Sequence, residues 1–208
     1  MKTYIPSSAD EAEYLRRYDP DKYKKPSVSV DTVVFAKSDG GLFVLLIRRG
    51  GYPYKGRIAV PGGFLNMSED LSSAAKRELF EETGLDADIC QCYTLGTPGR
   101  DPRDRVITVL FASVIDLTQA TAGDDAAEAV WARVSRYGAF REAGGTRHTF
   151  DVDYDGETFT VSGVVADSFA PAHQSEMVMD DCPSLSFDHA EELLRALLFT
   201  GCERYIQG

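Results

Sequence analysis

Residues 63–85 read GFLNMSEDLSSAAKRELFEETGL and hold the densest group of side chains in this chain that could do chemistry. On an α-helix Glu78 and Glu82 stand at i and i+4, and Glu81 at i+3 from Glu78, so the three carboxylates project to one side. Like charges at that spacing repel, and an isolated helix would lose stability from them. The arrangement therefore demands a compensating cation. Carboxylate oxygens suit a hard one, Mg²⁺ or Mn²⁺. Arg77 can reach Glu69 upstream or Glu81 one turn on, which would orient the acids. Pro61-Gly62-Gly63 forms a turn poor in side chains, where Gly63 lets backbone come close to a phosphate.

An arbitrary Glu-rich helix is more often a solvated acidic face. Here seven fixed identities and two apolar positions coincide, which at ~7% usage per residue type happens on the order of once in a billion start points. The catalytic reading wins on that ground.

These residues need elements to hold them. A helix is predicted over Leu71–Thr83, with Asp70 as N-cap and Gly84 as stop. A second is predicted over 188–199, with Ala190, Leu193, Leu194, Ala196, Leu197 and Leu198 on its apolar face. A short amphipathic helix falls near 9–17. Runs at 27–36, 42–48, 57–60, 90–96 and 106–115 read as strands of one sheet, with a turn at Asp39-Gly40-Gly41. Asp155-Gly156, between alternating stretches at 149–154 and 157–162, signals another hairpin. The expectation is an α/β fold with a mixed sheet, plus an additional C-terminal hairpin and helix. Residues 1–25 form a helical lead-in, and 26–208 a single domain with an insertion at about 137–182, either a dimerisation arm or a lid.

Composition narrows the function. With 208 residues, 43% of them hydrophobic, the chain suits one well-cored domain. The apolar runs fall far short of the ~20 residues of a membrane helix, and the N-terminal stretch, with acids scattered through it and no continuous apolar run, is no secretory signal. A cytoplasmic protein is expected. The formal charge of −11 argues against a nucleic-acid surface, and an anionic substrate would need bridging cations. Cys90, Cys92, Cys182 and Cys202 are read as reduced structural thiols.

The stretch 63–85 resembles the Nudix box at every defining position. The resemblance implies an α/β/α sandwich that hydrolyses a nucleoside diphosphate linked to another moiety. It also implies Glu78, Glu81 and Glu82 as metal ligands, Glu81 or a carboxylate elsewhere as base, and an Arg77–Glu69 salt bridge in support. The flanks YKKPSVSVD (23–31), YTLGTPGRDPRDRVITV (93–109) and LSFDHAEELLRALL (185–198) look like the ADP-ribose pyrophosphatase branch and related regulators of NAD metabolism. Ile58 and Asp104 depart from that branch, where Trp and Gly are frequent. The expected reaction takes ADP-ribose to AMP and ribose 5-phosphate in a homodimer. A non-catalytic ADP-ribose sensor and a nucleoside triphosphate sanitising enzyme are the rivals; no room is expected after residue 199 for the sensor's winged helix.

Arg100, Arg103 and Arg105 crowd one predicted turn, and Arg offers forked donors to phosphate. Arg48, Arg49, Arg100 and Arg103 are therefore candidate substrate ligands, and the competing expectation pairs the turn arginines with Asp101 and Asp104. Tyr93 and Trp131 are read as core. His189 is expected at a helix N-terminus, and His148 and His173 on surface or loop.

Overall fold

A computed structural model of the protein describes residues 4–117 and 129–206, so the parts of the predicted lead-in and domain at 1–3, 118–128 and 207–208 lie outside the described residues. The first helix, α1 (Ala9–Arg17), is capped by Ser8 and has no buried residue. One mixed sheet follows. It contains β1 (Ser27–Ser38), β2 (Gly41–Arg48), β5 (Cys90–Leu95), β6 (Val106–Asp116), β7 (Val130–Glu142), β8 (Gly145–Tyr154), β9 (Glu157–Ala166) and β10 (Met177–Met179), with the short β3 (Ile58–Ala59) and β4 (Gly62–Phe64) attached to β2 and β1. The order is β10-β9-β8-β7-β2-β1-β6-β5, and β1 with β6 is the parallel pair. The segment at 137–182 extends this sheet: β7, β8 and β9 form a meander alongside β2.

β1 is buried at eight successive positions, as a strand covered on both faces must be. Alternation divides its side chains. Val33 and Phe35 pack with Leu193, Leu194 and Leu197 of α3 (His189–Thr200), whereas Val30 and Val34 join the clusters of Ala74, Ala75 and Leu79 from α2 (Leu71–Thr83). Helices on both sheet faces make the expected sandwich. Tyr93 and Trp131 pack against these clusters, as the sequence suggests.

β7 is absent from the strands read in the sequence, and its geometry says why. Arg136 takes φ 50°, and the register with β8 shifts between Ser135 and Gly138. The bulge breaks the two-residue period, so no continuous alternation marks the strand. His148 is a second difference: it stands in β8, half-buried, with Nδ1 2.8 Å from the Tyr137 hydroxyl. The Asp155-Gly156 turn is as expected, with φ of 52° and 81° joining Tyr154 to Glu157.

Candidate active site

α2 begins where Asp70 accepts the Ser73 amide at 2.9 Å and ends at Gly84, in the left-handed conformation at φ 69°. Both ends are those read from the sequence. They set the phase of the helix and so the direction of its acids. Arg77 is the hub. Its Nε and Nη2 hold Glu69 at 3.0 and 2.6 Å, and its Nη1 reaches Glu78 at 2.7 Å and Glu81 at 3.1 Å. This fork keeps the Glu69 carboxyl at a pKa of about 2. The like charges of Glu78 and Glu81 thus share one guanidinium, which offsets the repulsion expected at their spacing.

The glycine turn is shaped by carboxylates. A Cβ on Gly63 would lie 2.4 Å from Glu78 Cδ, and one on Gly62 would lie 1.9 Å from Asp31 Oδ1. Gly62 also meets backbone, 2.4 Å from the Val30 carbonyl oxygen, so that position cannot carry a side chain, whereas one at Gly63 would displace the Glu78 carboxylate. Glu82 completes the corner by accepting the Gly62 amide at 2.8 Å. Burial pushes its pKa up to about 7, and the charges of Glu78 and Asp31 add to this against the Gly62 hydrogen bond. Oxygen donors from Glu78, Glu81 and Glu82 on one helix face, one of them poorly neutralised, fit a hard divalent cation.

Beside this corner opens a cleft of about 210 Å³. Its lining includes Gly63 and Glu82 from this corner, Asp31 from β1, and Arg49, Arg103 and Phe187. Arg49 donates Nε to the Pro53 carbonyl at 3.0 Å, and its Nη groups have no hydrogen-bond or ion-pair partner among the described residues. Burial, then the neighbouring Arg103 charge, lowers its pKa. Arg103 forks onto Asp101 at 2.7–3.2 Å and stacks near the rings of Phe64 and Phe187, at 5.0 and 5.4 Å.

The other two candidate arginines behave differently. Arg48 follows the opposite face of β2: it bonds the Gly56 carbonyl, pairs with Asp155 and lies over Tyr154, away from the cleft lining. Arg100 lines the cleft but is only 6% exposed. Its Nε and Nη2 grip Asp188 at 2.7 and 2.5 Å, Nη2 reaches Glu192 at 3.2 Å, and Nη1 bonds Thr108 at 2.5 Å. Of the paired-turn alternative, Arg103 with Asp101 is present, whereas Arg100 turns inward to α3.

That inward turn exposes residues the sequence reading missed. Asp31, His189 and Glu192 bring ligand-type atoms within 4.8 Å of one another. His189 Nδ1 accepts the Val60 amide at 2.9 Å, so the neutral ring keeps its proton on Nε2. Burial, with Arg100 and Arg49 nearby, drives its pKa to about 3. Nε2 is then a donor, and the cation of this cluster is Arg100 itself. Glu192 is completely buried, with Oε2 lacking a hydrogen-bond partner among the described residues. Burial, followed by the charges of Asp31 and Asp188, raises its pKa well above its ordinary value, against the pull of Arg100. Asp31 is raised to about 6 by burial, opposed by Arg100. The signal available in the sequence was the run Phe187-Asp188-His189 at the head of α3, whose three residues all reach this network.

A family model described as NUDIX domain matches residues 25–151. The chain is 37% identical over 111 residues to the ADPR responsive transcriptional repressor NtrR of Acinetobacter baylyi, covering 52% of this chain and 44% of that protein. It is 36% identical over 119 residues to the ADP-ribose pyrophosphatase of Methanocaldococcus jannaschii, covering 55% of this chain and 68% of that protein. In structure it is similar to a MutT/nudix family protein from Enterococcus faecalis, with a TM-score of 0.68 and 29% identity over 92% of this chain and 68% of that one. It also resembles the NUDIX domain of Shewanella oneidensis NrtR, solved with ADP ribose, with a TM-score of 0.52 and 33% identity over 58% of this chain and 81% of that one.

Proposed function

Because the chain belongs to the Nudix family, we propose that it hydrolyses the pyrophosphate bond of ADP-ribose, releasing AMP and ribose 5-phosphate, with Mg²⁺ or Mn²⁺ held by Glu78, Glu81 and Glu82. The observation that carries this reading is one cleft whose lining holds both Glu82 of the acidic helix face and Arg49, whose Nη groups have no hydrogen-bond or ion-pair partner among the described residues. A diphosphate bound there would meet the Arg49 guanidinium and a cation held by the glutamates. A divalent ion held by the carboxylates neutralises phosphate charge and acidifies the attacking water.

The chain's own residues do the remaining work. Arg77 keeps Glu69, Glu78 and Glu81 in one orientation, so the donor set is ready before substrate arrives. Arg49 and the free edge of Arg103 bind phosphate oxygens. Glu81, the most exposed of the three glutamates at 57%, serves the second ion or takes the water's proton. Arg100, already committed to Asp188 and Glu192, stiffens the wall. The choice of ADP-ribose rests on the names of two relatives, one a pyrophosphatase and one a repressor that responds to the same molecule.

A panel of ADP-ribose, NADH, nucleotide sugars and nucleoside triphosphates, assayed with and without Mg²⁺, tests the proposal. ADP-ribose turnover that EDTA abolishes, and that E78Q and E82Q each cut by at least ~10²-fold in folded protein, is the expected result. ADP-ribose binding without turnover would favour a sensor. Preference for a triphosphate would favour sanitation of nucleotides.

A further inference from the structure

Phe187 is held in the left-handed region at φ 47°, a conformation that costs a bulky residue energy and that a glycine or asparagine would take more readily. Its neighbours enforce it. Ser186 donates both its amide and its hydroxyl to the Ile58 carbonyl, at 2.9 and 3.0 Å, and His189 is fastened by its amide to Ser186 and by its ring to Val60. A second strained residue meets Phe187 from another segment. Tyr54, at φ 61°, belongs to a loop that Arg49 closes: the Arg49 amide donates to the Arg57 carbonyl at 2.9 Å, and the Arg49 carbonyl accepts the Gly56 amide at 2.8 Å. The Tyr54 and Phe187 rings meet edge to face, with centroids 4.8 Å apart and planes at 75°.

What gathers at the Phe187 ring is protein. The guanidinium carbons of Arg49 and Arg103 lie over it, 4.8 and 5.4 Å from its centroid, and the His189 ring lies 5.5 Å away. Both cations are inside the ~6 Å at which the quadrupole of a ring attracts them. Two like charges thus share one support, and the Arg103 charge helps to lower the pKa of Arg49. Arg103 has the Asp101 carboxylate to hold it, at 2.7–3.2 Å. Arg49 has one side-chain hydrogen bond, from Nε to the Pro53 carbonyl, and no ion-pair partner among the described residues. Beyond that bond, the Phe187 ring is the contact that steadies its guanidinium. A cation held through a π face spends none of its N–H donors on the contact, so the Arg49 Nη groups stay available to an anion.

We infer that Phe187 is a positioning residue for the proposed hydrolysis: its ring fixes the guanidinium groups of Arg49 and Arg103 in the cleft, and it acts on substrate only through them. This rests on the ADP-ribose reading above and adds what keeps the two arginines in place before phosphate arrives. It also accounts for a bulky side chain where the backbone favours glycine, because glycine would relieve the strain and remove the support.

Steady-state hydrolysis of ADP-ribose by the full chain in Mg²⁺ tests the assignment. F187L fills similar space without a π face, and F187Y keeps the face. F187L should raise KM roughly 3- to 30-fold, the range of one cation–π contact, with kcat within about twofold of wild type, whereas F187Y should match wild type in both within about twofold. Repeating F187L in an R49A background separates support of the arginine from packing. With Arg49 gone, the rise in KM caused by F187L should fall to less than about half, since Arg103 keeps its own hold on Asp101. F187M, also apolar and without a ring, takes the place of F187L should leucine fail to fold. The same fold rise in both backgrounds, a wild-type KM in F187L, a loss confined to kcat, or an F187Y as impaired as F187L overturns the assignment while ADP-ribose hydrolysis stands. A wild-type chain that turns over no ADP-ribose refutes the ADP-ribose reading, and this assignment with it.

Discussion

Arg100 looks in sequence like a residue to grip substrate, and in the structure it is a strut; truncating it to alanine separates the two. Its side chain is 6% exposed and joined to Asp188, Glu192 and Thr108. The alanine variant would leave Asp188, Glu192 and Asp31 facing one another in buried space without their cation. Removing one partner of a buried ion pair costs about 3–5 kcal/mol. At about 2–4 °C per kcal/mol for a chain of this size, R100A should melt about 6–20 °C below wild type. A solvated turn arginine would lose at most about 1 kcal/mol, or about 4 °C. The pH dependence has a definite sign. Asp31 is raised to about 6 from an ordinary 3.8, so the native state binds more protons than the unfolded chain between those values, and its contribution to stability falls as pH rises through them. Without Arg100 that cost grows, so the gap between R100A and wild type should be wider at pH 7.5 than at pH 5. Thermal melts by circular dichroism at both pH values, in EDTA, measure it. A melting temperature within about 4 °C of wild type, together with a raised KM and unchanged kcat, would refute the strut and restore the sequence reading.

Two further outcomes follow from the cleft. Glu82, raised to about 7 by burial first and by Glu78 and Asp31 second, must lose a proton when a cation binds, so Mn²⁺ affinity should climb by up to about tenfold per pH unit below 7 and level off above it. Calorimetry at pH 6, 7 and 8 on wild type and E82Q checks this, and equal wild-type affinity at pH 6 and 8 contradicts it. R49A should raise KM for ADP-ribose roughly 10- to 150-fold with kcat little changed, from loss of a charge-assisted hydrogen bond, whereas R48A should leave both alone. Steady-state kinetics of the pair decide; matching KM values would mean that Arg49 does not face the substrate.

Much of this molecule is legible locally. The turn of the α-helix alone puts Glu78, Glu81 and Glu82 together, and Asp70 and Gly84 mark its ends because each satisfies backbone groups that a helix terminus leaves open. The Asp155-Gly156 hairpin is legible for the same reason, since a two-residue turn needs φ values those residues tolerate. β7 was not, because its bulge at Arg136 interrupts the pattern that identifies a strand.

Sequence by itself determined the acidic helix face and its supporting arginine, since neighbours at three, four and eight positions are brought together by one helix and its entry loop. Only the tertiary structure decided what faces that group. Arg48 and Arg49 are adjacent and chemically alike, yet Arg48, the last residue of β2, pairs with Asp155 and Arg49, just beyond it, lines the cleft. Asp31 and Glu192 carry no chemical pattern of their own, and Asp188 and His189 only the short run at the head of α3. Arg100 meets Asp188 across 88 residues and Glu192 across 92, and His189 meets Val60 across 129. Contacts at such separations arise from packing α3 on the face of β1 that carries Asp31, Val33 and Phe35, and buried charges acquire their partners and protonation states only once that packing has removed water.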